Sequence, residues 1–397
     1  MDMQVNTVIR WANARSALWS GGFRPFFLAA GAFAAVAVPL WVLALDSGLA
    51  IVGAGDPLHW HIHEMIFGYV GAVVAGFLMT AIPNWTGRLP VRGRPLMLLV
   101  LLWFAGRVAI FAAGFLGVFA AVIDAAFLIV LAGVAWREVI SGRNLRNVPI
   151  CVMVSLFALT NLAFHADPMM PGAADYAIRG ALGLILLLIS LIGGRVVPSF
   201  TRNWLAKAGA TAMPAPFGDF DKLSLFVTAL AVLAWTIAPE SGTTAGLFAA
   251  AAALQAIRLT RWQGLAARRE PLLLVLHVAY AWLPVAMALL AAGVVWPEIG
   301  ASPGIHAFTA GGIGMMTLAV MTRATLGHTG RALTAGTSTN AIYLLVFAGA
   351  VIRVAAFWLP FDYVAVITLA GAMWSAGFLL FVWVYGPMLV GPNARRG

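Results

Sequence analysis

Residues 56–82 read DPLHWHIHEMIFGYVGAVVAGFLMTAI. Asp56 and Pro57 form a helix start, an N-cap acid followed by proline at the first helical position. From Ile66 to Ile82 no charged side chain occurs. A bilayer core needs about 20 predominantly apolar residues in a helix, which this stretch supplies. Yet its first turns hold His59, His61, His63 and Glu64, groups that are costly inside a membrane unless paired or used. One segment thus combines a membrane span with ligand-type chemistry.

The same apolar pattern recurs on both sides of it. Of 397 residues, 62% are apolar and 10% charged, with a mean hydropathy of +0.95. Soluble domains carry about 25% charged residues, so this chain lacks the polar surface that water requires. Spans are predicted near 26–45, 58–82, 96–116, 117–136, 148–166, 177–197, 220–238, 243–259, 271–294, 304–322, 339–359 and 362–385. The third and fourth, and the eleventh and twelfth, are joined by short turns and predict tight hairpins. The fold class expected is an all-α polytopic membrane bundle of about twelve helices, with residues 1–397 forming one integral membrane domain. The lone cysteine, Cys151, excludes a disulfide framework, a cysteine metal cluster and a c-type haem attachment. A polar start without a small-residue cleavage site predicts no cleaved leader.

The net charge of +10 is scattered through short loops rather than clustered, which points to topology and away from nucleic acid. Alternate loops carry Arg10 and Arg15; Arg88, Arg92 and Arg94; Arg137, Arg143 and Arg146; Arg202 and Lys207; Arg258, Arg261, Arg268 and Arg269; Arg323 and Arg331; Arg395 and Arg396. The intervening loops carry Asp46, Asp56, Asp167, Asp175, Glu240, Glu298 and Asp362. Positive loops stay inside, so the first set and both termini are predicted to be cytoplasmic.

An internal repeat overlies this topology. His63, Gly68 and Gly71 recur as His306, Gly311 and Gly314, an offset of 243 residues. The same offset carries Thr86-Gly87-Arg88 onto Thr329-Gly330-Arg331 and Phe104-Ala105-Gly106 onto Phe347-Ala348-Gly349. Ile82-Pro83-Asn84-Trp85-Thr86 is echoed by Val197-Pro198-Ser199-Phe200-Thr201. Related helices are therefore expected second, sixth and tenth, in three four-helix units of about 20–140, 141–262 and 263–390 around a pseudo-threefold axis.

Neutral imidazole is a common ligand for copper, zinc and haem iron. By this topology His59, His61, His63, His165 and His306 fall at the outer side, and His277 and His328 at the inner side. His59 and His63 share one helix face while His61 points nearly the opposite way. His59 reads as solvated at the interface. Glu64, Arg107, Asp124 and Arg353 fall within spans; Arg107 and Asp124 face each other across the third–fourth hairpin and are expected to pair. Glu64 and Arg353 also match in depth, and the alternative is that Glu64 orients His61, three residues before it. Arg107, Arg179 and Arg353 are outer-half cations suited to haem propionates.

Several stretches make the chain resemble the NnrS family of bacterial membrane proteins. They are Ser20-Gly21-Gly22-Phe23-Arg24-Pro25-Phe26-Phe27, Trp60-His61-Ile62-His63-Glu64-Met65 and Phe77 through Gly87. Ile192 through Pro198, Thr201-Arg202-Asn203, Leu276 through Leu283, His306 and Gly327-His328-Thr329-Gly330-Arg331 complete the set. The resemblance implies a haem- and copper-containing protein of the bacterial inner membrane, tied to denitrification and to the nitric oxide or nitrosative stress response. His61, His63, His277, His306 and His328 match the family's histidines, and His59 does not. A weaker resemblance in fold, to haem–copper oxidase catalytic subunits, supports a haem between the second and tenth helices. The copper-site histidines of those enzymes are missing here.

The expectation that follows is a b-type haem held by His63 and His306. A copper ion is expected at His61 with His277 or His328, although the inner pair is predicted to lie on the opposite side from His61. The protein is expected to bind nitric oxide in a protective or sensing role. Two alternatives stay open: a membrane oxidoreductase that converts nitric oxide, and a small-molecule transporter without a cofactor.

Overall fold

The computed structural model describes residues 17–47 and 56–394. The described residues are 81% helical, with no strand among them. Arg10, Arg15, Arg395 and Arg396, which contribute to the predicted inner charge set, lie outside the described residues.

Twelve long helices follow the predicted order. They are α1 (Phe23–Ser47), α2 (Pro57–Thr86), α3 (Arg94–Phe111), α4 (Val118–Ser141), α5 (Val148–His165) and α6 (Ala173–Lys207). Then come α7 (Asp219–Ile237), α8 (Gly242–Thr260), α9 (Pro271–Val295), α10 (Ser302–His328), α11 (Thr337–Ala355) and α12 (Tyr363–Val390). Eleven are long and apolar enough to cross a membrane. The exception is α8, which has the length but is diluted by alanine, threonine and glycine and carries Gln255 and Arg258. Several starts follow local chemistry. Ser241 caps α8 through the Thr244 amide at 3.1 Å, Glu270 caps α9 ahead of Pro271, and Asp362 accepts from the Ala365 amide at 2.8 Å.

The chain divides into two compact units. The first holds the described residues up to Ala174, with Met321–Leu333 and the residues from Phe378 onward. In it α2 packs on α1 and α4, α3 pairs with α4, and α4 packs on α5. The second holds Asp175–Val320 and Thr334–Gly377, with α8 packed between α7 and α9 and with α10 on α9 and α11.

Polarity is distributed as lipid requires. Phe115, Leu98, Phe119 and Trp383 are exposed, whereas Glu64, Arg107, Asp124 and Arg258 are buried.

Three helices depart from α-geometry. α2 is π-helical over Glu64–Val70, α6 over Ile189–Gly193, and α10 over Ala307–Ile313. The first and last are related by the same 243-residue offset that relates His63 to His306. A π turn widens the helix and loosens its carbonyls. In the first unit the Trp103 indole donates to the Gly68 carbonyl at 2.9 Å; in the second, Trp374 donates to the Ala310 carbonyl at 3.1 Å. Gly68 and Gly311 let a large side chain approach the π turn. A Cβ at Gly68 would lie 2.6 Å from Arg107 Nη1, and one at Gly311 would lie 2.3 Å from the Trp282 ring.

Candidate metal centre

The first turn of α2 begins as its sequence dictates. The Asp56 carboxylate accepts from the Leu58 and His59 amides at 3.2 Å each, and the ring of His59 meets the same carboxylate at 2.8 Å on the exposed surface. His61 stacks on Trp41 with ring centroids 4.2 Å apart. His63, half a turn further on, points inward and is 2% exposed. The π turn starts directly after it, so His63 and Glu64 both enter the interior of the first unit.

There they meet α3, α4 and α5. Glu64 Oε1 accepts from Arg107 Nη1 at 2.5 Å and contacts His63 Nδ1 at 2.9 Å. Arg107 Nη2 donates to Asp124 Oδ1. The other oxygen of Asp124 is approached by three nitrogens: His165 Nε2 at 2.8 Å, Asn161 Nδ2 at 3.0 Å and His63 Nε2 at 3.1 Å. Phe67 and Phe164 pack on the His63 ring at 5.2 and 5.1 Å, which keeps the surroundings apolar. Glu64, Asp124, Asn161 and His63 are buried, and His165, in the last turn of α5, is the half-buried member at the edge. One ligand atom each from His63, Asp124 and His165 lies within 4.8 Å of the others. Two imidazoles and a carboxylate are a donor set for late first-row metals.

The predicted residues are distributed as follows. The Arg107–Asp124 pair forms across the α3–α4 hairpin as expected. Glu64 contacts His63 and Arg107 rather than His61. With both Nη atoms on carboxylates, Arg107 is an internal counter-ion. Arg179 lies over the Tyr176 ring at 5.2 Å, and Arg353 over Tyr363 at 5.9 Å. His277 Nε2 meets Thr201 Oγ1 at 2.9 Å, and His277 Nδ1 is pressed against Gly264, where a Cβ would lie 2.6 Å away. His328 packs on Phe23 at 5.3 Å. His306 Nδ1 donates to the Ser302 carbonyl at 2.8 Å, so that nitrogen carries a proton.

Asp167, two residues after His165, accepts from the Gly172 and Ala174 amides, and His165 turns to Asp124. Asn161, one helical turn before His165, carried the missed signal: two polar side chains four apart on an apolar helix share a face. A second buried network was also missed. Arg258, assigned to an inner loop by its charge, is fully buried in the second unit. Its Nε donates to Asp221 at 2.7 Å and its Nη1 to the Ser190 carbonyl at 2.9 Å and Tyr280 Oη at 3.0 Å. Gln255 joins Ser190, Thr228 and Tyr280.

The family model described as NnrS protein matches residues 17–393, nearly the whole chain. No curated protein matches it.

Proposed function

The chain belongs to the NnrS family, whose membership supports a role in the nitric oxide response, and from that premise we propose a haem- and copper-binding protein of the bacterial inner membrane that binds nitric oxide. The carrying observation is the buried cluster of His63, Glu64, Arg107, Asp124 and His165 inside an apolar helical unit. A membrane protein that needed only hydrophobic packing would gain nothing from two carboxylates, a guanidinium and two imidazoles held out of water.

The donor chemistry fits both groups. Two imidazoles and a carboxylate suit Cu(II). For haem, His306 has its Nδ1 anchored on a carbonyl, the second contact common among ligand imidazoles, and Arg179 and Arg353 supply cations for propionates. His306 is the haem ligand in this reading, while His63 sits between the Glu64 and Asp124 carboxylates. Bound haem iron or copper would supply the centre to which nitric oxide, small and apolar enough to enter from lipid, attaches. The protein's own part is to hold those centres in a dry, fixed environment. Arginine-rich loops and both termini lie on the cytoplasmic side in this reading.

The test is an absorption spectrum and metal analysis of the purified chain, followed by addition of nitric oxide to the reduced protein. A Soret band that shifts with nitric oxide is expected. A featureless Soret region with no copper contradicts the reading and leaves a cofactor-free transporter; sustained consumption of nitric oxide makes the protein an oxidoreductase.

A further inference from the structure

The hydrogen-bond accounting of the buried cluster does not close with neutral rings. His63 lies between two carboxylates, with Nδ1 on Glu64 and Nε2 on Asp124, and carboxylates only accept. A neutral imidazole has one N–H to offer. His165 Nε2 is aimed at the same Asp124 oxygen. The charges do not balance either, because Glu64 and Asp124 face the single guanidinium of Arg107. Asn161 gives its amide nitrogen to Asp124 while its amide oxygen, also buried, has no partner. These groups need one more positive charge, which either a second proton on His63 or a metal ion supplies.

We propose that His63 Nε2, His165 Nε2 and Asp124 Oδ2 form a mononuclear, non-haem binding site for a late first-row divalent metal ion, with copper, zinc and iron as the candidate class. It deepens the metal-binding reading above and rests on it. A metal in this position takes the Nε2 lone pair of neutral His63 and leaves its Nδ1–H for Glu64, so that each nitrogen of His63 has one partner. Glu64 is then the carboxylate that orients a ligand imidazole, and Arg107 and Asn161 hold the Asp124 ligand, the outer support that metal sites require. Size agrees. Ligands about 2.0–2.2 Å from a tetrahedral metal stand about 3.3–3.6 Å apart. The Asp124 oxygen is now 2.8 and 3.1 Å from the two imidazole nitrogens, so these edges open by about 0.2–0.8 Å to admit the ion. Three protein ligands leave a coordination position open. His165, at the edge of the cluster, marks the side from which an ion enters.

The experiment uses the full chain in detergent, stripped of loosely held metal and titrated with Cu(II), Zn(II) or Fe(II) alone. Haem absorbance and helical content are recorded in parallel. The wild type is expected to bind one ion per chain. His165→Ala is expected to weaken that binding at least tenfold with helical content and Soret band unchanged, and Glu64→Gln to weaken it about 10–100-fold without abolishing it. His59→Ala, at an exposed site on the same helix, is expected to bind as wild type does. Should Cu(II) occupy the site, its electron paramagnetic resonance spectrum shows two coordinating imidazole nitrogens in wild type and one in His165→Ala. Equal affinity in wild type and His165→Ala, or no uptake of any of the three ions by wild type, overturns the proposal. A missing Soret band together with an intact ion site instead overturns the haem reading and leaves the metal site standing.

Discussion

At the scale of single residues, the cluster in the first unit is held by complementary charge in a place where charge is costly. Removing one member of a buried ion pair leaves the other uncompensated, which costs about 3–5 kcal/mol. Arg107→Ala, which strands Glu64 and Asp124, is therefore expected to lower the thermal unfolding midpoint in detergent markedly more than Arg88→Ala, whose side chain is largely exposed beside Glu138. Equal losses would show that the cluster does not stabilise the unit. A second prediction concerns Asp56. Partial burial works to raise its carboxyl, but the His59 ring and the Leu58 and His59 amides outweigh it and hold the pKa below the ordinary carboxylate value. Because the folded value is depressed, the cap's contribution is present above the ordinary value and is lost as pH falls through the lowered one. Asp56→Ala should cost about 0.5–2 kcal/mol near neutral pH and little in strong acid, measured by hydrogen exchange in the first turn of α2. A pH-independent difference would contradict this.

At the scale of elements, the π turn of α2 decides which side chains enter the interior. It adds a residue to the turn that follows His63 and leaves the Gly68 carbonyl for Trp103. Inserting one alanine between Gly71 and Ala72, where the helix has returned to α-geometry, should rotate the first turns against the rest of the helix by about 100°. The expected result is a folded helix that no longer presents His63 and Glu64 together with Arg107, read as loss of metal uptake with helical content kept. Retained uptake would show that the phase set by the π turn is incidental. This feature also marks where sequence reading stops. The number and order of the long helices and the Arg107–Asp124 pairing were legible because apolar length and hairpin connectivity fix depth, whereas ends were not: α6 runs to Lys207, ten residues past the predicted 197, because its last turns are polar. The π turn was not legible either, because an extra residue in a turn has no compositional signature. Its only trace was the repeat of His63, Gly68 and Gly71 at His306, Gly311 and Gly314, whose π segments keep the same register. Rotation about the helix axis was equally hidden, and so Glu64 was set against His61 rather than His63. The burial of Arg258 was masked for another reason: an arginine near a helix end reads as a loop charge until a partner such as Asp221 is seen.

At the scale of the whole molecule, the claim is a multi-pass membrane protein that keeps its polar chemistry inside. Its weakest span by apolarity is α8, and topology depends on it. If α8 crosses, the loop holding Glu240 and the loop holding Arg268 and Arg269 lie on opposite sides. Reporter fusions at the two loops should then give opposite responses, with the arginine loop cytoplasmic. Matching responses would make the count eleven and break the charge alternation. The central claim is that the first unit holds a metal ion between three of its helices. Anomalous scattering from an experimentally determined structure, recorded at the absorption edge of the ion that the purified protein contains, tests it most directly. The account predicts a peak about 2.0–2.2 Å from His63 Nε2, His165 Nε2 and Asp124 Oδ2; anomalous density only at other side chains, with none among these three, would contradict it.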